Sequence, residues 1–137
     1  MEPIRIEITI LKPLQKVWDY MHEPKHIIKW NFAQENWTCP KAENDFVVGG
    51  KLKVRMQMKD RSYGFDFQGT YEEIIPLKKI VYRTGDGRKV EIQLTEVDPN
   101  TTNVVEIFEP EPQTSRQMQR DDWYAILNNF HKYVENN

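Results

Sequence analysis

A pattern with the spacing of a zinc-protease motif lies near the N-terminus. The residues His22-Glu23-Pro24-Lys25-His26 match H-E-x-x-H, in which two histidines one helical turn apart bind zinc and the glutamate activates the metal-bound water. Pro24 lies between the two histidines, removes a backbone N–H and brings its ring against the carbonyl four residues earlier. We therefore expect the imidazoles to diverge. The segment is interpreted as a turn between two helices, with no metal and no cofactor.

The other nucleophile and acid–base candidates lack partners in the sequence pattern. The single Cys39 has no local signature of a catalytic thiol, and a lone cysteine is typical of a small buried hydrophobe. The adjacent carboxylates Glu72–Glu73 and Asp121–Asp122 point in different directions, whether on a strand or on a helix. No catalytic residue is predicted, and an enzyme is the less favoured class.

Two acidic residues lie within apolar strand sequence. Asp66 stands between Phe65 and Phe67, where alternation places it on the outer face. For Glu106 the surrounding pattern assigns no face. A carboxyl group that faced inward would have a raised pKa and would provide a hydrogen-bonding group in an apolar interior.

Composition excludes several classes of partner. The 137 residues include 39% hydrophobic and 29% charged residues, with a net charge of −2, which is typical of a soluble globular domain and disfavours nucleic acid. No apolar run approaches the ~20 residues that span a bilayer, and the alternating N-terminus lacks the apolar core of a signal peptide. One cysteine allows no internal disulfide. We predict a single domain over residues 1–137 and a cytoplasmic location.

The apolar spacing predicts a strand, two short helices and then a run of about six strands. Ile4, Ile6, Ile8 and Ile10 share one face of the first strand. Helical spacing follows Pro13, and Pro24 separates the two helices. Strands are predicted from Trp37 onward, with a short one at Trp37–Cys39 and a long one at Tyr63–Ile75. Within the latter, Gly69 indicates a bulge or the close approach of another element.

The last segment has the pattern of a long helix. Thr114 and Gln117 form a predicted capping box, and Trp123, Leu127, Phe130 and Val134 repeat at helical spacing. A helix over Thr114–Glu135 would be ~33 Å long. Such a helix needs a large apolar surface, which only the concave face of a curved antiparallel sheet offers, so the fold class is α+β.

Four segments resemble a known family. These are VWDYMHEPKHIIKWN (17–31), NDFVVGG (44–50), FDFQGTYEEIIPLKKIVY (65–82) and DWYAILNNFHKYVE (122–135). In this order they resemble the START-like (SRPBCC, helix-grip) superfamily, and within it the bacterial homologues of the activator of the ninety-kilodalton heat-shock protein ATPase. The resemblance implies a curved antiparallel sheet of about six or seven strands, two short helices after the first strand and a long C-terminal helix across the sheet. One departure is Asp122, where the family often has glycine before the helix tryptophan.

A long helix across a curved sheet leaves a gap that side chains do not always fill. Met56 and Met58 lie side by side on one strand, and the flexible thioether suits the wall of such a gap. Each residue alone is also compatible with an ordinary core. The predicted ligand-binding residues are Trp30, Phe32, Trp37, Met56, Met58, Phe65, Phe67, Met118 and Trp123.

Three functions remain open from the sequence. The first is non-catalytic binding of a small apolar or amphipathic ligand in a cavity between the sheet and the C-terminal helix. The second is a protein-interaction module with a chaperone or another protein as partner, which the resemblance implies. The third is a cyclase- or hydrolase-like enzyme, which needs an inward polar pair such as Glu106 with a tyrosine or histidine.

Overall fold

A seven-stranded antiparallel sheet, curled into a half-barrel, forms the frame of the protein. The computed structural model describes residues 2–137. The predicted α+β helix-grip architecture, with a long C-terminal helix across the sheet, is confirmed. Within this range, no helix combines the length and apolar character required to traverse a lipid bilayer. The elements are β1 (Ile4–Ile10), α1 (Leu14–His22), α2 (Pro24–Trp30), β2 (Trp37–Asn44), β3 (Lys51–Met58), β4 (Gly64–Ile75), β5 (Lys79–Thr84), β6 (Lys89–Asp98), β7 (Thr101–Phe108) and α3 (Arg116–Asn136).

The sheet order is β1-β7-β6-β5-β4-β3-β2, so β1 and β2 form its two edges. β2 continues to Asn44, beyond the short strand predicted at Trp37–Cys39. Its pairing with β3 shifts register between Thr38 and Lys41, around Pro40. Proline cannot donate a hydrogen bond to the strand ladder, but it is tolerated in an edge strand or at a bulge. β2 is an edge strand, so it continues through Pro40 although the predicted strand ends at Cys39.

The cap of α3 differs from the predicted capping box of Thr114 and Gln117. The N-cap is Ser115, one residue later than predicted, and its hydroxyl accepts a hydrogen bond from the Met118 backbone N–H at 3.0 Å. Thr114 instead donates its hydroxyl proton to the Glu111 carboxylate, with an O–O distance of 2.6 Å. Thr114 is therefore already engaged, and Ser115 supplies the oxygen that the helix N-terminus requires.

Both ends of α3 are fixed to the rest of the molecule. At its start, the buried Gln119 amide donates to the carbonyls of Glu111 and Thr114 at 2.8 and 2.9 Å and accepts from the Glu111 N–H at 2.7 Å. At its far end, Phe130 and Val134 are 1% and 0% exposed in the main core. The direction of the helix is thus set by contacts on either side of its middle.

Gly69 marks the close approach of another side chain. A Cβ atom built on Gly69 would lie 2.6 Å from Cδ2 of the Tyr82 ring. The register irregularity of β4 lies elsewhere, between Tyr71 and Glu73. Of the two explanations that the sequence left open for Gly69, the structure favours close approach, because the ring of Tyr82 occupies the space of the missing side chain.

We expect Gly69→Ala to destabilise the protein by about 1–3 kcal/mol, because the added methyl group forces the Tyr82 ring or the backbone to move. The control is Gly85→Ala, since a Cβ atom at Gly85 has no atom of residues 2–137 within 4 Å beyond its chain neighbours. Urea unfolding of both variants measures the difference. Equal stability of the two variants would contradict the packing described for Gly69.

Candidate functional site

A cavity of about 460 Å³ lies between the concave face of the sheet and the N-terminal half of α3. Strands β3 to β7 form its floor, α2 and the loop after it form one wall, and it is partly open to solvent. Small-molecule sites are typically ~300–1,000 Å³ and mostly apolar with a few polar groups. The cavity has the size of such a site.

Six of the nine residues predicted as ligand-binding line this cavity, and three do not. Phe32 packs against the neighbouring cluster around Ile27, and Met58, the last residue of β3, directs its sulfur to the Ser62 hydroxyl at 3.3 Å. Met118 is 59% exposed on the first turn of α3. The six that line the cavity are Trp30, Trp37, Met56, Phe65, Phe67 and Trp123. Their role as ligand contacts stays a prediction.

Two tryptophans connect the walls of the cavity. The Trp30 indole N–H donates to the Tyr20 carbonyl at 3.0 Å, and its ring packs edge-on against Phe130 at 4.7 Å between centroids. Trp123 stacks on Phe108 of the sheet, with centroids 4.1 Å apart and planes 10° from parallel. These contacts orient both indoles, so the walls are preformed.

Glu106 places a carboxyl group in a row of isoleucines across the sheet floor. It pairs with Ile6 of β1 on one side and with Ile92 of β6 on the other, and Ile92 pairs in turn with Ile80 of β5. Neighbours in such a row share one face of the sheet. Glu106, Ile92 and Ile80 all line the cavity, so an ionisable group stands where the rest of the row is hydrocarbon.

Burial raises the pKa of Glu106 from its ordinary 4.5 to about 7. Desolvation is the cause, and within residues 2–137 no hydrogen bond or nearby charge offsets it. Tyr82 also lines the cavity, and burial together with the Glu106 charge raises the pKa of its phenol. The sequence analysis left the face of Glu106 open; the structure brings this carboxyl and a phenol to one cavity.

The second cavity tyrosine is already engaged. The Tyr71 hydroxyl donates to the side-chain oxygen of Asn44 at 2.8 Å, and the Asn44 amide donates to the His22 carbonyl at 2.7 Å. This chain ties β4 to the end of α1 and satisfies the Tyr71 phenol, whose pKa burial raises. Tyr71 is therefore not free to bind a ligand, whereas Glu106 remains a polar group of the cavity floor.

The H-E-x-x-H pattern does not form a two-histidine site. Nδ1 of His22 donates to the Trp18 carbonyl at 2.7 Å, whereas Nδ1 of His26 lies 2.8 Å from the Tyr133 hydroxyl. As the sequence predicts, the helices break at Pro24. The two rings have different partners on two separate helices, so they do not share the face of one continuous helix as the protease motif requires.

Cys39 is buried in the smaller core cluster. It is 1% exposed, and its thiol approaches the Lys41 carbonyl at 3.6 Å. Burial raises the pKa of the Cys39 thiol. Because the thiolate is the nucleophilic form, this environment suits a packing residue, in agreement with the sequence analysis.

We expect Glu106→Gln to stabilise the protein at about pH 8.5 by about 2 kcal/mol and to have little effect near pH 4. The folded pKa lies above the unfolded one, so stability falls as pH rises from about 4.5 to 7 and then levels off. At ~1.4 kcal/mol per pH unit the full effect is about 3 kcal/mol. The Glu106 side chain is partly exposed to the open cavity, and solvent screening reduces this value. Denaturant unfolding across this range measures it.

The matched control is Glu96→Gln, the same chemical change at an exposed position of β6. Its stability should follow the wild-type pH profile. A Glu106→Gln profile parallel to that of the wild type from pH 4 to about 8.5 would show that the carboxyl group does not titrate in an apolar environment.

Comparison with known proteins gives the family. A family model described as "Activator of Hsp90 ATPase homolog 1-like protein" matches residues 12–135. An AHSA1-like protein of Aeromonas hydrophila is 34% identical, with 97% of this chain and 93% of that chain covered and a TM-score of 0.89. A protein of Cytophaga hutchinsonii is 44% identical, with 98% and 92% covered and a TM-score of 0.83.

A more distant structure shows the same fold. The Aha1 dimer of Colwellia psychrerythraea is 22% identical, with 98% of this chain and 97% of that chain covered and a TM-score of 0.74. No protein of curated function matched the chain. The family match covers more than half of the sequence, and the two nearer structures cover almost all of it. This chain therefore belongs to the family of activator of Hsp90 ATPase homolog 1-like proteins, within the START-like (SRPBCC) superfamily.

Proposed function

We propose that this protein binds a small apolar or amphipathic ligand in the cavity between the sheet and α3, without transforming it. The observation that carries the proposal is the cavity itself, about 460 Å³ in volume and partly open. Apolar cavities of this size accept apolar guests, because the guest restores contacts that the wall atoms otherwise lack.

The composition of the wall supports this function. Trp123 and Phe67 meet edge to face with centroids 6.4 Å apart, and Met56 adds an adaptable thioether from β3. Aromatic rings give a ligand a large contact area with few torsions to restrain. Apolar side chains make up most of the lining, which favours a guest with a predominantly apolar body.

The proposal predicts that filling the cavity prevents binding. A thermal-shift panel of fatty acids, sterols and aromatic polyketides should contain a compound that stabilises the wild type, by about 2.7 kcal/mol at a concentration a hundredfold above its Kd. Ile126→Trp places an indole into the lining and should abolish this shift. Met118→Trp adds the same side chain to an exposed position of the same helix and should preserve it.

Two results would overturn the proposal. One is a panel in which no compound raises the melting temperature of the wild type at saturating dose. The other is loss of the shift in Met118→Trp with retention in Ile126→Trp, which would place binding on the outer surface. Far-ultraviolet circular dichroism of both variants verifies that each is folded.

A second candidate function is interaction with a chaperone, and the description of the matching family favours it. Exposed apolar groups are available to a partner: Tyr63 is 61% exposed and lies beside Trp37 and Phe65 of the cavity lining, and Val97 is 59% exposed away from the cavity. This candidate predicts that excess protein raises the ATPase turnover of a bacterial Hsp90. Ile126→Trp should retain the effect, because its change is internal. Unchanged turnover would exclude this candidate.

A further inference from the structure

The charges around the cavity are unevenly compensated. Arg88 lines the cavity but is already paired, with its Nε 2.8 Å from an oxygen of Asp86. Glu106 has no such partner within the described residues, and Asp122 adds a second carboxyl group to the lining from α3. An ionised carboxylate in apolar surroundings is costly until an opposite charge joins it. The cavity therefore favours a cation over an anion.

The aromatic groups near Glu106 favour the same charge. Trp123 and Tyr82 both line the cavity. Trp123 stacks one face on the buried Phe108 at 4.1 Å, so its other face and its edges are the parts that a ligand can reach. Tyr82 is close enough for the Glu106 charge to raise its pKa. The faces of such rings carry negative potential and attract cations, so carboxylate and rings have the same preference.

We propose that the ligand is an apolar amine, whose protonated amino group pairs with the Glu106 carboxylate while its apolar body occupies the rest of the cavity. This inference rests on the function proposed above. The ammonium group supplies the hydrogen bonds that an ionised Glu106 otherwise makes with water. A charge-assisted hydrogen bond in this environment is stronger than one in water. An alcohol of the same shape offers a hydrogen bond without the charge, and a carboxylic acid adds a like charge.

Binding of the amine should depend on pH through Glu106. Below about pH 7 the carboxyl group is protonated, and it must lose its proton before the ion pair forms. The affinity should therefore fall about tenfold per pH unit below that value. The other ionisable side chains that line the cavity are His22, Tyr71, Tyr82, Arg88 and Asp122. Comparison with Glu106→Gln separates the titration of Glu106 from theirs.

The test is calorimetric titration with three probes that share one aromatic body: naphthylethylamine, naphthylethanol and naphthylacetic acid. At about pH 8 the wild type should bind the amine at least tenfold more tightly than the alcohol, and the acid most weakly. Glu106→Gln should bind the amine and the alcohol equally, whereas Glu96→Gln should retain the preference. The pH dependence of the wild type gives a second readout that needs no variant.

Each alternative outcome has a distinct meaning. Equal binding of amine and alcohol by the wild type overturns the amine inference and leaves the binding function intact. A preference for the amine that persists in Glu106→Gln also overturns the amine inference and leaves the binding function intact. If none of the three probes binds while a compound of the thermal-shift panel does, the amine inference again fails alone. If nothing in either set binds, the proposed function fails with it.

Discussion

The closing helix is fixed at both ends above a curved sheet, and the cavity depends on this constraint. Gln119 ties the first turns of α3 to the preceding loop, and Phe130 and Val134 are buried at the other end. An α-helix curves only gently and cannot follow a sheet that is curled into a half-barrel beneath its middle. Trp123 bridges part of the gap by stacking on Phe108, and the remaining space lies beside it. Collapse of that space would require the loss of contacts at one end of the helix.

Glu106 is the feature that packing alone does not explain. An isoleucine at this position would continue the row formed by Ile6, Ile92 and Ile80 and would avoid the cost of desolvating a carboxyl group. Residues whose pKa is strongly shifted within a cavity are candidates for function. Glu106 has a raised pKa and no charged or hydrogen-bonding partner among residues 2–137, as expected of a group that a ligand would pair with.

The sequence predicts the frame of this protein better than its site. Period-two alternation and helical stripes locate nearly every element, because they report directly which face of each element is buried. The predicted length of β2 is too short, because the strand continues through Pro40. An edge strand tolerates a proline that a central strand would not. The predicted N-cap of α3, Thr114, is wrong by one residue, because the neighbouring Ser115 also has a hydroxyl group that can cap the helix.

The site is harder to predict because the cavity is a property of the assembled walls. Met56 and Met58 share a strand face, yet only Met56 reaches the cavity, because Met58 lies at the strand end. Met118 was predicted from its residue type, but it lies five residues before Trp123, on another side of the helix, and is 59% exposed. The sequence predicts the direction of one of the two polar groups near the cavity floor. β-Strand alternation puts Tyr82 on one face with Ile80. The direction of Glu106 is not predicted, because the residues on both sides of it are apolar.

The most direct measurement is methyl and aromatic NMR of the protein titrated with naphthylethylamine. The account predicts intermolecular nuclear Overhauser effects from the naphthyl protons to the methyl groups of Ile92 and Ile126 and to the Trp123 indole, which border the cavity. The exposed Val97 and Met118 methyl groups should show none. Effects confined to such surface groups, with unchanged signals from Ile92 and Trp123, would contradict the claim that the space beneath α3 receives a ligand.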